Sequence, residues 1–85
     1  MKRRNKVRIL GQWITIQHVD LSKEEIHGDA DTHKKIIRLD SSLNDTEYKR
    51  VLRHESYHIK LGLSGMSEQL DEKVEEALCV LAEID

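Results

Sequence analysis

The sequence predicts an α+β domain: a small, mostly antiparallel three-stranded sheet followed by two packed helices. Three observations carry that prediction. β-branched residues cluster between residues 7 and 39, apolar positions recur at helical spacing in the second half, and Asn44 and Ser67 stand there as helix-start signals. Val7 to Leu10 and Trp13 to Val19 read as two strands around Gly11-Gln12, because Val7/Ile9 and Ile14/Ile16 each alternate and Gly11 supplies a turn or bulge. Residues 20–31 are polar and include Gly28, so they read as a connection with at most a short helical turn at 22–26. His33 to Leu39 gives the third strand, centred on Ile36-Ile37-Arg38-Leu39. Asn44 followed by Glu47 has the capping-box pattern, which starts a helix over 45–61 that stops at Gly62. A short turn containing Gly65 then lets a second helix, 67–84, fold back antiparallel with Ser67 as its N-cap. Its apolar stripe is Leu70, Val74, Ala77/Leu78 and Leu81. Trp13 is expected to anchor the core.

At 85 residues the chain makes one domain at most, 1–85, with 1–6 read as a flexible basic tail. The formal charge of −2 does not indicate a general nucleic-acid binder, although Lys2, Arg3, Arg4, Lys6 and Arg8 crowd the start. No apolar run approaches the ~20 residues of a membrane span, so no membrane partner is expected. The single cysteine, Cys79, excludes an internal disulfide framework and fits a reducing cytoplasm.

Residues 54–58 read His54-Glu55-Ser56-Tyr57-His58. Histidines at i and i+4 stand on one side of a helix, ~6 Å apart along its axis. Both imidazoles can therefore reach one tetrahedral zinc, and Glu55 can hold a water against it as general base. On a helical wheel Glu55 falls inside the apolar arc of Tyr48, Val51, Leu52 and Ile59, opposite Lys49, Arg50, Arg53 and Lys60. An unpartnered carboxylate there would be costly, and a cation beside it removes the anomaly. A catalytic zinc takes three protein ligands and a water, and Asp71, Glu72, Glu75 and Glu76 of the second helix are the candidates for the third. Cys79 reads as a small apolar residue rather than a ligand, and His18 and His27 as solvent-facing or turn-capping side chains.

On these residues the chain resembles a minimal gluzincin, the zinc peptidase class built on a His-Glu-x-x-His helix and a downstream helical Glu. It is similar, more narrowly, to the small ImmA/IrrE-type metallopeptidase-like proteins of phages and mobile elements. The matching stretches are His27-Gly28-Asp29, Ile36 to Asp40, Val51 to His58 and Val74 to Leu78. The resemblance implies a zincin-like fold, one zinc ion, a peptide or protein substrate, and Glu55 as the catalytic base. It also favours Glu76 over Glu75 as third ligand, since the family's glutamate precedes a small and then an apolar residue, as in Glu76-Ala77-Leu78. Strand 34–39 would be an edge able to pair with an extended peptide. Two departures stand out. Arg53 replaces the uncharged residue usual before the first histidine, and neither Tyr nor His follows Glu76 to stabilise an oxyanion, leaving Tyr57 and His33 as substitutes. The competing reading keeps the metal and drops turnover: a zinc-stabilised regulatory or interaction module, in which the ion adds stability that so small a core lacks.

Overall fold

Ile9 pairs with Gln12 across a two-residue turn in which Leu10 (φ 48°) and Gly11 (φ 78°) are both left-handed. That is the backbone of a type I′ turn, whose twist matches the strands it joins. This hairpin opens the computed structural model, which describes residues 3–83. It consists of β1 (Lys6–Ile9) and β2 (Gln12–Val19). A 3-10 turn at Ser22–Glu24 follows, then β3 (Gly28–Asp31) and β4 (Ile36–Asp40), then α1 (Asp45–Leu63), a second 3-10 turn at Met66–Glu68 and α2 (Glu72–Ala82). The sheet order is β1-β2-β4-β3. β1/β2 and β3/β4 run antiparallel, while β2/β4 are parallel. The domain is thus α+β with a four-stranded mixed sheet rather than a three-stranded, mostly antiparallel one.

The additional strand is β3, whose sequence Gly28-Asp29-Ala30-Asp31 contains no β-branched or aromatic residue. Its partner makes it a strand. Ala30 faces Ile37 and Asp29 faces Arg38, whose Nε donates to Asp29 Oδ1 at 2.8 Å. A Cβ on Gly28 would meet the Arg38 carbonyl oxygen at 2.8 Å and Val51 Cγ1 at 2.9 Å, so glycine lets β3 lie close beneath α1. The third strand expected from His33 begins only at Ile36, since 32–35 form the turn between β3 and β4. Because β4 is flanked by β2 and β3 it is interior, and the edge on this side of the sheet is β3.

One face of the sheet supplies Ile9, Ile14, Ile16, Ile37 and Leu39 to the core, against Tyr48, Val51 and Ile59 of α1. Trp13 is not among them: it lies on the other face with 55% of its surface exposed. The aromatic anchor is Tyr48, which is buried and stacks on His18 at 5.6 Å, with its hydroxyl 3.1 Å from His18 Nε2. Arg3 lies 4.5 Å over the Tyr48 ring and also reaches the Leu43 carbonyl and Asp45. From Arg3 onward the basic head therefore touches the domain; residues 1–2 lie outside the described residues.

The capping box of α1 forms as the sequence predicts: Glu47 N donates to Asn44 Oδ1 at 2.9 Å, and Asn44 N donates to Glu47 Oε1 at 3.3 Å. The helix runs through Gly62 to Leu63. Gly62 serves a close approach, since a Cβ there would collide with the side chain of Thr32. The left-handed residue that follows the helix is Gly65 (φ 80°). Likewise α2 starts later than expected. Asp71 is its N-cap, accepting from Lys73 N at 2.8 Å and Val74 N at 3.1 Å, while Ser67 lies in the preceding 3-10 turn. The helix ends at Ala82, and the expected terminus at Ile84 lies outside the described residues. Among the described residues no helix is long and apolar enough to cross a membrane.

Candidate metal centre

The helical repeat of α1 puts His54 and His58 one turn apart on the flank that faces α2, their ring centroids 5.1 Å apart. Glu55 points between α1 and the sheet and is only 8% exposed. Opposite stands Glu76 of α2, whose Oε1 lies 2.9 Å from His54 Nε2 and whose Oε2 lies 3.2 Å from His58 Nε2. The other ring nitrogens are also held. His54 Nδ1 donates to Glu83 Oε2 at 2.7 Å, and His58 Nδ1 donates to Glu75 Oε2 at 2.6 Å. Each Nδ1–H thus fixes its ring, leaving both Nε2 atoms aimed at one carboxylate. Beneath them lies the fully buried Cys79, and ligand atoms of His54, His58 and Cys79 all fall within 4.8 Å of one another. These three residues could hold a metal ion.

The donor set suits a cation. With each Nδ1–H held by a carboxylate, each Nε2 faces a Glu76 oxygen, which places two ring nitrogens and a carboxylate around one point. Ligand atoms of a tetrahedral zinc with bonds of about 2.0–2.1 Å stand roughly 3.3–3.4 Å apart, somewhat wider than the 2.9 and 3.2 Å that separate the two imidazoles from the two Glu76 oxygens.

Burial raises the Glu55 carboxyl above the ordinary range, opposed by His54 and His58. Burial also pulls Glu75 upward, but hydrogen bonds from Ser67 and His58 together outweigh it and hold Glu75 below its usual value. The Cys79 thiol is pushed up to about 12, first by burial and then by Glu76, Glu75, Glu55 and Glu83. The centre opens into a cavity of about 690 Å³ that also borders Gly28, Asp29 and Ala30 of β3. Arg50 is the single Lys or Arg among its described lining residues.

Of the candidates read from the sequence, His54, His58 and Glu76 come together, with Glu55 beside them. Glu75 sits behind His58 as a hydrogen-bond partner, Asp71 caps α2, and Glu72 is exposed in its first turn. Tyr57 and His33 do not line the cavity; Tyr57 faces the other flank of α1, beside Lys49, Arg53 and Lys60. His27 does line it, and His18 is the partner of Tyr48. One participant, Glu83, escaped the sequence reading, and another, Cys79, was set aside there as a small apolar residue. Glu83 lies seven residues after Glu76, hence on the same face of α2, and that spacing was the available signal. Cys79 joins through burial alone. Arg53, the departure before the first histidine, donates to the Glu83 backbone carbonyl at 2.9 Å and so ties down the C-terminal end of α2.

The predicted apolar stripe of α2 is also displaced. Glu75, Leu78, Cys79 and Glu83 turn inward, while Val74, Val80 and Leu81 are exposed, Leu81 by 63%. The carboxylates occupy the inner face because their partners, the histidines and Arg50, are on α1. Comparison with protein-family models, curated proteins and solved structures gives no match, so geometry alone carries the reading of this centre.

Proposed function

We propose that the chain is a minimal zincin-like hydrolase that cleaves peptide bonds, with one zinc ion held by His54, His58 and Glu76 and with Glu55 as general base. The observation that carries this reading is the convergence of both Nε2 atoms on Glu76 while Glu75 and Glu83 lock the opposite nitrogens, beside a buried carboxylate. When bound, zinc supplies a Lewis acid that polarises a carbonyl and brings the pKa of water to about 7. Glu55 takes the proton of the attacking water and returns it to the leaving amine nitrogen. The β3 edge bordering the cavity offers backbone groups to an extended substrate. Arg50 supplies the positive side chain nearest at hand for charge developing on the carbonyl oxygen, in the place where Tyr57 and His33 are absent. In a Glu55→Gln variant, zinc content should persist and peptide hydrolysis should fall by roughly 10²- to 10⁴-fold. Turnover equal to that of the parent would end the assignment.

A second reading is favoured by Cys79. Were its thiolate to join His54, His58 and Glu76, four protein ligands would close the coordination shell, which is the mark of a structural site. The protein would then be a zinc-stabilised regulatory or interaction module. Cobalt substitution separates the two: a thiolate–cobalt charge-transfer band that disappears in Cys79→Ser supports closure, and an identical spectrum in both proteins supports the open, hydrolytic site.

A further inference from the structure

The face of the sheet turned away from α1 carries a second concentration of chemistry, unrelated to the metal centre. Along β1 and β2 the register sets Arg8 opposite Trp13 and Lys6 opposite Thr15, so these four side chains share one face. Lys6 Nζ lies 4.5 Å and Arg8 Cζ 5.6 Å from the centroid of the Trp13 ring. All four residues are exposed, as is Gln17 two positions farther along β2. Leaving the chain's one tryptophan in water forgoes one of the largest apolar burials available to it. Among the described residues Lys6 and Arg8, like Lys23, Lys34, Lys49 and Lys60, take part in no ion pair, whereas Arg3, Arg38 and Arg50 are paired with Asp45, with Asp29 and Glu24, and with Glu83. Toward β3 the same face carries Asp29 and Asp31, with Asp29 paired to Arg38, so its unpaired positive charge is confined to the β1/β2 end.

We propose that this face binds single-stranded nucleic acid, with a base stacked on Trp13 and the flanking phosphates on Lys6 and Arg8. An aromatic ring accepts any base, and adjacent cations recognise the backbone; together they give sequence-tolerant binding. Thr15 and Gln17 extend the same strip with hydrogen-bonding groups. A single strand suits this surface because its bases can splay onto a ring lying on a broad sheet face, whereas those of a duplex stay stacked inside. Two contacted phosphates set the salt response: the logarithm of affinity should fall against the logarithm of salt with a slope of about −1.4.

The test uses the intact protein and a single-stranded oligothymidine of about 12 nucleotides. Titration should quench the emission of the sole tryptophan saturably, with the predicted salt slope. By anisotropy of a labelled oligonucleotide, Trp13→Leu should weaken binding roughly 5- to 100-fold, in line with the contribution of one stacked base. The Lys6→Glu, Arg8→Glu double variant should abolish the salt dependence along with most of the affinity. Circular dichroism and Tm should stay unchanged in both, since the residues are exposed, and Glu55→Gln should bind like the parent. Absence of quenching at low salt, equal affinity in the variants, preference for duplex, or a response confined to anionic phospholipid vesicles would each overturn the proposal.

Discussion

Against the sheet, α1 lays Tyr48, Val51 and Ile59 onto a bed of isoleucine and leucine. Against α2 it presents His54, His58, Arg50 and Arg53, which meet Glu75, Glu76 and Glu83. The first contact gains stability from apolar area removed from water, and no ion alters it. The second depends on balancing carboxylates, because α2 leaves Val74, Val80 and Leu81 in solvent. One helix thus joins a layer that holds itself together to a layer whose attachment is electrostatic.

On the proposed zinc reading, metal removal should expose that difference most strongly. Chelation is expected to abolish amide-exchange protection in α2 while β2, β4 and the first turns of α1 keep theirs. The Tm should fall as well: a metal contribution of only about 3 kcal/mol moves a domain of this size by more than ~12 °C. Uniform loss of protection through the molecule would erase the distinction between the layers. Next in size is Ile37→Ala, in the centre of the sheet, which should cost about 2–5 kcal/mol with or without metal, whereas Leu81→Ala should stay within about 0.5 kcal/mol by denaturant titration. Gly62→Ala should destabilise by about 1–3 kcal/mol through collision with Thr32, although the same change in an open helix stabilises by about 1 kcal/mol. Adding Thr32→Ala should recover part of the loss.

The smallest effect concerns the sheet layer's own carboxylate. Asp40 accepts from the Ser42 hydroxyl at 2.5 Å and from Leu21 N at 3.0 Å, and these bonds hold it below its usual pKa. A depressed folded value means that its stabilisation is complete above the unfolded value of about 3.9 and is lost as pH falls through the folded one. The stability gap between the parent and Asp40→Asn, followed by urea titration, should therefore be constant near neutrality and narrow on acidification below about pH 4.

The sequence made plain whatever depends on local periodicity. Val7/Ile9 and Ile14/Ile16 located the first hairpin, Asn44 and Glu47 located the start of α1, and the spacing of His54, Glu55 and His58 placed them on one helix. It concealed what depends on partners distant in the chain. β3 has no strand-forming residue and exists through Arg38 and Ile37 across the ladder. The parallel pairing of β2 with β4 leaves no local mark. For α2, the rule that apolar side chains turn inward failed because its inner surface answers to charges on α1. Glu76 was favoured by resemblance rather than periodicity, Glu83 emerged only when the two helices were seen side by side, and Cys79, read as a small apolar residue, proved to lie against both histidines. Trp13 was misplaced for a related reason: hydrophobicity says what a ring prefers, while strand register decides the face it takes.

The spacing between β3 and α1 is set at Gly28 by a single hydrogen atom. A methyl at that point would act as a wedge, tilting the strand off the helix and widening the mouth beside it without touching any of the charged groups inside. Residue 28 thus sets how wide that mouth stands, independently of the charged side chains behind it.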